Sequence, residues 1–274
     1  MKIERHEITL FRLVGVLHLP PLPGAPNYLG HSISAIADAA AEDAQVLVGA
    51  GFTDVMIQDA SDNPQPTLIG PATVAAMSVI GAAVRRATDV SLGVVAGHND
   101  GPSAVAIAHA IDAQFIRVKV LTGISVGPTG WIEGCSSEVA HMKRLLGSGV
   151  EVWADAHEAT SRAVTGDVRW AAAEALSFGG ADKIIVTRDS GVNDAISDIA
   201  AVKALLDDNV DVLIGGRVTA TTLGDAVRGS DGAILGSAIK DGPDHDARIS
   251  PAAVERLADA FRTARDAAAG ATRG

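Results

Sequence analysis

The chain has a single cysteine, Cys135, and few aromatic residues, which make up only 3% of its 274 residues. One cysteine excludes an intrachain disulfide and a cysteine-rich zinc site, and it fits a reducing cytoplasm. With so few aromatic rings, the core must be built from Ala, Val, Ile and Leu. That composition is typical of buried parallel strands covered by alanine-rich helices. Hydrophobic residues make up 47% of the chain, too large a share for a disordered protein.

Long apolar runs and basic residues are also scarce. No stretch approaches the uninterrupted apolar length of a membrane span, and the charged start MKIERHEITLF lacks the apolar core of a signal peptide. Lysine and arginine number 22 against 33 aspartate and glutamate, a net charge of −11. Because an acidic surface repels nucleic acid and anionic lipid, we expect a cytoplasmic protein with no membrane span and no nucleic-acid partner.

Short β-branched runs alternate along the chain with longer segments of helical period. The runs predict these strands: LVGVLHL (13–19), TDVMIQD (53–59), VSLGVVAG (90–97), FIRVKVL (115–121), VEVWADAH (150–157), DKIIVTRD (182–189), VDVLIGG (210–216) and DGAILGS (231–237). Eight βα units at this length predict one α/β domain, residues 1–274, folded as a (β/α)8 TIM barrel with a frayed tail at 268–274. An open Rossmann-like sheet is the alternative, but no G-x-G-x-x-G follows the first strand.

The last two strands both run into glycine and then into a helix start, in LIGGRVTATTL (213–223) and GAILGSAIKDG (232–242). Glycine lets the backbone come close to a ligand, and free N–H groups at a helix start attract an anion. Closure of the barrel makes the two turns neighbours on a rim where this fold commonly holds a phosphate. The glycines could serve only as tight turns. We predict instead a phosphate site made of Gly215, Gly216, Gly236 and Ser237.

Strand alternation directs several polar residues of the fourth and fifth strands into the barrel, namely Arg117, Lys119, Glu151, Asp155 and His157. The deeper Arg117 and Glu151 are interpreted as a structural ion pair, because a buried unpaired ion is costly. Lys119, Asp155 and His157 lie nearer the mouth, where a lysine, a carboxylate and an imidazole can divide acid and base roles. A purely structural role for these three is the alternative.

Other strand ends supply further candidate catalytic residues: Asp59 after the second strand, His98 and Asp100 after the third, and Asp189 after the sixth. These side chains, together with Asp62, Asp155 and His157, could also ligate a divalent metal, although no H-E-x-x-H or comparable spacing is present. We therefore predict no resident cofactor and leave a divalent metal open. His18, at the end of the first strand, is interpreted as a histidine satisfied by its neighbours.

Several blocks of the sequence resemble the BtpA/SgcQ family: GVLHLPPLPGAPNY (15–28), FIRVKVLTGISVGPTGWIEG (115–134), DKIIVT (182–187), VLIGGRVT (212–219) and DGAILGSAIKDG (231–242). The opening H-L-x-P-L-P-G-x-P-x-Y is the most specific of them. The resemblance implies a TIM barrel with a phosphosugar- or nucleotide-like ligand. The family's namesake is implicated in photosystem I biogenesis in cyanobacteria.

The rim residues depart from the family pattern. After the second strand the family reads close to E-N-F-G-D-x-P, whereas this chain has QDASDNPQP, which keeps Asp62 and Pro64. Leu121 stands where the family often carries a polar residue or histidine, and the lysine-histidine-alanine turn after the fifth strand appears as DAHEAT. These departures predict a shared ligand site with altered chemistry, or a different substrate.

Two functional classes fit the sequence. The first is an isomerase, lyase or hydrolase that acts on a phosphorylated small molecule, whose phosphate supplies binding energy to orient the reacting end. The second is a non-catalytic assembly or regulatory factor that retains a ligand pocket. A homo-oligomer is compatible with either class.

Overall fold

The computed structural model describes residues 11–60, 65–164, 166–206, 210–242, 244 and 247–271, with backbone only from residue 268. The strands, numbered in chain order, are β1 (Arg12–His18), β2 (Asp54–Gln58), β3 (Ser91–Val95), β4 (Phe115–Val118), β5 (Ile124–Gly127), β6 (Gly130–Glu133), β7 (Glu151–His157), β8 (Arg162–Ala163), β9 (Lys183–Val186), β10 (Val212–Ile214) and β11 (Gly232–Leu235). The helices are α1 (Ile33–Gly49), α2 (Pro71–Ala87), α3 (Gly101–Ala110), α4 (Ser136–Leu146), α5 (Val168–Ser177), α6 (Val192–Leu206), α7 (Leu223–Gly229) and α8 (Pro251–Ala271), with a 3-10 turn at Ser237–Ile239.

The barrel strands are joined side by side in the order β1, β2, β3, β4, β7, β9, β10, β11, and β11 pairs back with β1 to close the ring. All neighbouring barrel strands run parallel. The (β/α)8 TIM barrel is therefore confirmed, and each of the eight predicted strands is present. Within the described residues, every helix is too short or too polar to cross a membrane. The fraying predicted for 268–274 stays a prediction, since 272–274 lie outside the described residues.

Small side chains let the helices lie close to the barrel. In α1, Ala37, Ala40 and Ala44 are buried against the strands, and the Ser32 side chain caps the helix by accepting from the Ala35 amide. At the other end of the barrel, α4 stops at Gly147, whose φ of 62° is left-handed. The expected alanine-rich packing on parallel strands is confirmed.

The barrel interior has an apolar middle layer between two charged ends. Its buried cluster consists of Val14, Val16, Met56, Val95, Phe115, Trp153, Ile185, Leu213 and Ile234. Phe115 and Trp153 stack at its centre, with ring centroids 3.7 Å apart. Ile116 and Val118 belong to the separate cluster under the helices, so the alternation predicted for this strand is confirmed.

The ion pair predicted between Arg117 and Glu151 is wrong. Arg117 lies opposite Trp153 in the strand register, whereas Glu151 lies opposite Phe115, at the start of β7. The stacked rings thus separate the two charges. Arg117 bonds instead to Asp155 at the mouth, and Glu151 forms an ion pair with Lys183 at 3.2 Å at the opposite end.

A small antiparallel sheet, in the order β6, β5, β8, lies outside the barrel and was not predicted. Its β5–β6 hairpin follows β4, and the Thr129 hydroxyl in its turn lies 3.4 Å from that of Thr67 in the loop after β2. The hairpin therefore reaches from β4 to the β2 side of the barrel mouth. Two short runs around Gly-Pro-Thr-Gly were the available sequence signal for it.

Candidate functional site

Five ionisable side chains gather at the C-terminal mouth of the barrel, and each is at most 9% exposed: Asp59, His98, Lys119, Asp155 and Glu158. Besides burial, which acts on all of them, the charge of Lys119 acts on the pKa of each of the other four. The structure thus brings together four of the predicted catalytic residues. Glu158 was missed, because a bulge in β7 between Asp155 and His157 breaks the strict alternation used to select inward residues.

Lys119 follows β4 and points into this cluster without a direct partner. Among the described residues its ammonium nitrogen forms neither a hydrogen bond nor an ion pair. Burial, and then the positive charge of Arg117, lower the pKa of Lys119, although three nearby carboxylates oppose the shift. A larger share of Lys119 is therefore unprotonated at a given pH than of a solvent-exposed lysine.

Three buried atoms at the mouth lack a hydrogen-bond partner among the described residues: His98 Nε2, Glu158 Oε1 and Ser161 Oγ. Such an atom costs about 1–3 kcal/mol, so it calls for an explanation such as a bound ligand. The other carboxylate oxygen of Glu158 accepts from the Thr160 amide at 2.7 Å and from its hydroxyl at 2.5 Å. One face of Glu158 is therefore anchored, and the other faces the small cavity that the Ser161 hydroxyl also lines.

The pKa values of His98 and Glu158 are both lowered. For His98 the causes are burial and then the charge of Lys119, which together favour the neutral imidazole. For Glu158 burial acts upwards, but the Ser161 and Thr160 donors and Lys119 outweigh it. Near neutral pH the site therefore contains an ionised carboxylate beside a neutral imidazole.

The pKa of Asp59 is shifted in the opposite direction. Burial raises the pKa of Asp59 to about 7, even though the Gly97 amide donates to its Oδ1 at 2.9 Å. A substantial share of Asp59 is thus protonated near neutral pH, so its carboxyl group can act as a proton donor.

This shift predicts a pH-dependent stability. The folded-state pKa of Asp59 lies above its ordinary value of 3.8, so its contribution to stability is fully present below pH 3.8 and is lost as the pH rises through about 7. Relative to the parent, Asp59→Asn should gain up to about 4 kcal/mol of unfolding free energy between pH 4 and pH 8. Urea unfolding of both proteins across that range measures the difference, and parallel stability curves would contradict the shift.

Asp155 is held by Arg117, whose Nε and Nη2 each donate to one carboxylate oxygen at 3.1 Å. Burial raises the pKa of Asp155 to about 6, against the opposing effect of Arg117. The guanidinium also approaches the glycine rim, because a Cβ built on Gly215 would lie 3.4 Å from Arg117 Nη2. Arg117 thus connects the ionisable cluster to the turn after β10.

His157 is half-buried and bonds to the next strand. Its Nδ1 lies 2.5 Å from the Thr187 carbonyl oxygen, which can only accept, so Nδ1 carries a proton. The Thr187 hydroxyl in turn donates to the Gly215 carbonyl at 2.7 Å. In the neutral ring, Nε2 is therefore the nitrogen left to accept a proton.

Asp100 is buried beside the cluster, where its charge acts on the pKa of Asp59, whereas Asp189 lies outside the cluster. The Asp100 carboxylate caps α3 by accepting from the Ser103 amide at 3.1 Å and also accepts from the Ile69 amide at 3.0 Å. Asp189 forms an exposed ion pair with Arg217 at 2.9 Å on the rim. The structure thus gives Asp100 a loop-fixing contact and leaves Asp189 in solvent.

The predicted phosphate turns lie side by side after β10 and β11. Gly216 and Arg217 follow one another with φ values of 111° and 62°, and the second is strained for a non-glycine residue. A Cβ on Gly215 would lie 2.1 Å from the Thr187 hydroxyl, and one on Gly236 would lie 2.7 Å from His18 Cε1. At both positions a larger residue would therefore have to displace a neighbouring side chain, with or without an anion.

His18 also contacts a cation, since Lys240 Nζ lies 3.1 Å from its Nδ1. Ser237 opens the 3-10 turn immediately before Lys240. The expectation of a histidine satisfied by neighbours holds for His18, and the structure adds that the neighbours are Gly236 and Lys240 of the glycine rim.

A cleft of about 640 Å³ opens beside the cluster, lined by the hairpin turn and by the loops at 157–162 and 188–190. A smaller cavity of about 40 Å³, which Lys119 and Asp155 line, shares His157, Glu158 and Ser161 with this cleft. Within the described part of the chain, no three His, Cys, Asp or Glu residues are grouped to hold a metal ion. Asp62, the further candidate ligand, lies outside it.

Solved structures similar to this chain are TIM-barrel proteins of low sequence identity. One is described as "Native KDPGal structure" (20% identity, 98% of this chain and 100% of that one, TM-score 0.58). Thiamine phosphate pyrophosphorylase from Pyrococcus furiosus is another (15% identity, 93% and 98% coverage, TM-score 0.55). N-(5'-phosphoribosyl)anthranilate isomerase from the same organism is a third (11% identity, 92% and 99% coverage, TM-score 0.54). At these identities the likeness concerns the fold alone.

Sequence relatives cover most of the chain. An uncharacterized protein of Pyrococcus horikoshii is 36% identical over 231 residues, 84% of this chain and 88% of that protein. The photosystem I biogenesis protein BtpA of Synechocystis sp. is 29% identical over 252 residues, 91% of this chain and 87% of that protein. The sequence profile of the BtpA family matches residues 10–263. The chain therefore belongs to the BtpA family.

Proposed function

We propose that this protein is an enzyme that acts on a phosphorylated small molecule bound at the mouth of the barrel. The observation that carries the proposal is the pair of buried, unpartnered atoms, His98 Nε2 and Glu158 Oε1, beside the unpaired Lys119. A substrate with polar groups at the reacting end would supply the missing hydrogen bonds.

Acid and base roles separate within the cluster. Burial raises the pKa of Asp59 to about 7, whereas the donors around Glu158 and the charge of Lys119 overcome burial and lower the pKa of that carboxyl. Two carboxyl groups whose environments push their pKa values apart form the pattern of an acid–base pair. We assign the donor role to Asp59 and the acceptor role to Glu158.

The substrate phosphate is proposed to lie at the turns after β10 and β11. Arg217 on one turn, and Lys240 beside the other, supply positive charge next to the backbone of Gly216 and Gly236. Arg117 reaches from the ionisable cluster to Gly215, so the two parts of the site are one arginine side chain apart. Two of the structural neighbours, thiamine phosphate pyrophosphorylase and N-(5'-phosphoribosyl)anthranilate isomerase, are named for phosphorylated compounds, which is compatible with this placement.

A second candidate is a non-catalytic assembly factor, because the Synechocystis relative is named a photosystem I biogenesis protein. One surface favours it. Val126 and Trp131 are paired across β5 and β6, are 42% and 68% exposed, and so present apolar area to solvent. This surface is compatible with an enzyme too, whereas the buried unpartnered atoms favour a ligand site.

Phosphate esters should raise the melting temperature of the protein, and Gly236→Val should abolish this effect. A ligand that binds only the folded state contributes about 2.7 kcal/mol at a concentration 100 times its Kd. Valine at position 236 would displace the His18 ring, whose Cε1 lies 2.7 Å from the new Cβ, and with it the contact between His18 and Lys240 on the proposed phosphate rim. Glycerol 3-phosphate and ribose 5-phosphate are suitable probes in thermal melts.

Gly149→Val is the matched control for this experiment. Gly149 precedes β7 at the opposite end of the barrel, and a Cβ there would meet no atom within 4 Å. The control should keep the ligand-induced rise in melting temperature. If Gly236→Val binds the esters as tightly as Gly149→Val does, the two glycine turns are not the phosphate site.

A further inference from the structure

We propose that Lys119 is a Schiff-base nucleophile, whose amine condenses with the carbonyl carbon of a phosphorylated aldehyde or ketone. The inference rests on the proposed function and deepens it by naming the substrate class. It also narrows the reaction to a lyase or isomerase, because hydrolysis of an ester does not need an iminium intermediate.

The environment of Lys119 differs from that of the other described lysines. Lys183 and Lys203 form ion pairs with Glu151 and Asp231, at 3.2 and 2.7 Å. Lys240 contacts His18, and Lys143 lies near the surface on α4. Lys119 alone among these is buried at the mouth with no partner at ion-pair distance. A lysine kept solely as a structural cation would be expected to have such a partner.

Burial, and next the nearby charge of Arg117, favour the unprotonated form of Lys119 by lowering its pKa. Only the unprotonated amine has the lone pair that attacks a carbonyl carbon. The arginine itself cannot serve, because its guanidinium stays protonated and is held by Asp155 on two bonds. Arg117 is therefore a positioning residue that keeps a positive charge beside the amine.

The condensation of the amine with the carbonyl is balanced in atoms and charge, and the residues at the mouth supply the protons that it needs. Lys119 Nζ forms a bond to the carbonyl carbon, the electron pair of the C=O double bond moves to oxygen, and the proton released by nitrogen reaches that oxygen. Protonation of the resulting hydroxyl, for which Asp59 is the donor, expels water and leaves an N=C iminium. The sum is amine plus carbonyl plus one proton giving iminium plus water, with no change of oxidation state.

Glu158 then has a defined task. Its free Oε1 can take a proton from the carbon next to the iminium, and the electron pair of that C–H bond moves towards the positive nitrogen. Return of that proton to the opposite face of the same carbon gives an isomerisation. In a lyase reaction the C–C bond to that carbon breaks instead, Glu158 takes the hydroxyl proton of the departing carbon, which leaves as a carbonyl, and the remaining enamine is then protonated. In both cases water adds to the iminium carbon and releases Lys119. The anchoring bonds from Thr160 hold the carboxylate in place for this step.

Reductive trapping tests the proposal directly. The full chain is incubated with dihydroxyacetone phosphate or glyceraldehyde 3-phosphate, reduced with sodium borohydride, digested and mapped by peptide mass spectrometry. Reduction converts the iminium to a stable secondary amine, so the adduct mass should appear on Lys119. Its rate of formation should exceed that of Lys143, a reference within the same chain, by about tenfold or more.

The Lys119→Arg variant distinguishes a nucleophilic role of Lys119 from a role as a positive charge, because arginine keeps the charge and cannot form the adduct. The variant should still bind glycerol 3-phosphate in thermal melts and should lose the fast adduct, whereas Lys143→Arg should lose neither. If the Lys119→Arg variant does not fold, mapping the adduct in the parent protein still shows whether Lys119 is the nucleophile. Absence of a Lys119 adduct with both probes, or labelling no faster than at Lys143, overturns the Schiff base. If glycerol 3-phosphate still binds, the proposed function survives that result, and if no phosphate ester binds, both fail.

Discussion

Replacing Arg117 with methionine should lower the free energy of unfolding by about 3–5 kcal/mol at pH 8, because it leaves a buried carboxylate without its cation. Asp155 has a fully buried side chain and takes both of its arginine bonds from Arg117. Burial already raises the pKa of Asp155 to about 6, so at pH 5 the orphaned group takes up a proton. The cost of the substitution should therefore be smaller at pH 5 than at pH 8, and urea unfolding at both values measures it.

The double variant Arg117→Met, Asp155→Leu is the control that distinguishes the effect of the two charges from the effect of side-chain volume. Removal of both charges should recover much of the lost stability, since apolar pairs of similar volume often replace buried ion pairs without loss. Arg217→Met, which breaks an exposed pair with Asp189, should cost far less. An equal loss in the single and double variants would show that packing, and not the charge on Asp155, sets the effect.

Glu158→Gln should slow chemistry about 100-fold or more while the melting temperature stays close to that of the parent. Glutamine keeps the shape of the side chain, but its amide cannot accept the proton that Oε1 is proposed to remove. The assay is the exchange of the carbon-bound protons of dihydroxyacetone phosphate for deuterium, followed by NMR in heavy water. This assay needs no knowledge of the complete reaction.

Glu174→Gln is the matched control for that variant. Glu174 lines the same small cavity from α5 but is exposed to solvent. Its substitution should leave the exchange rate within about twofold, as expected for a surface change away from the reacting atoms. Equal rates in the Glu158 and Glu174 variants would remove Glu158 from the mechanism.

The barrel could be predicted from the sequence because its strands are short β-branched runs separated by helices with regular apolar spacing. Alternation also placed Arg117 and Lys119 inside correctly, since β4 is a regular strand. The alternation rule failed in β7, the next strand of the barrel. The bulge after Asp155 shifts the register by one residue, so Glu158 turns into the mouth although strict alternation would not select it.

The sequence also could not predict which charged side chains pair with one another. The partners of Arg117 depend on where the Phe115–Trp153 stack lies along the barrel axis, and residue spacing within one strand does not give that position. In the same way, the sequence around an aspartate that follows a strand does not show whether the side chain caps the next helix, as Asp100 does, or faces a ligand. Three-dimensional contacts decide between these roles.

In the proposed complex a phosphorylated ligand spans the mouth, from the glycine turns to the buried ionisable cluster. A crystal structure of the protein with glycerol 3-phosphate, which has no carbonyl group to react, tests it most directly. We expect the phosphorus atom between Gly216 and Gly236, and the glycerol hydroxyls within hydrogen-bond distance of Glu158 Oε1 or His98 Nε2. A phosphate bound anywhere else at a saturating concentration, with both of those atoms still unpartnered, would contradict the claim.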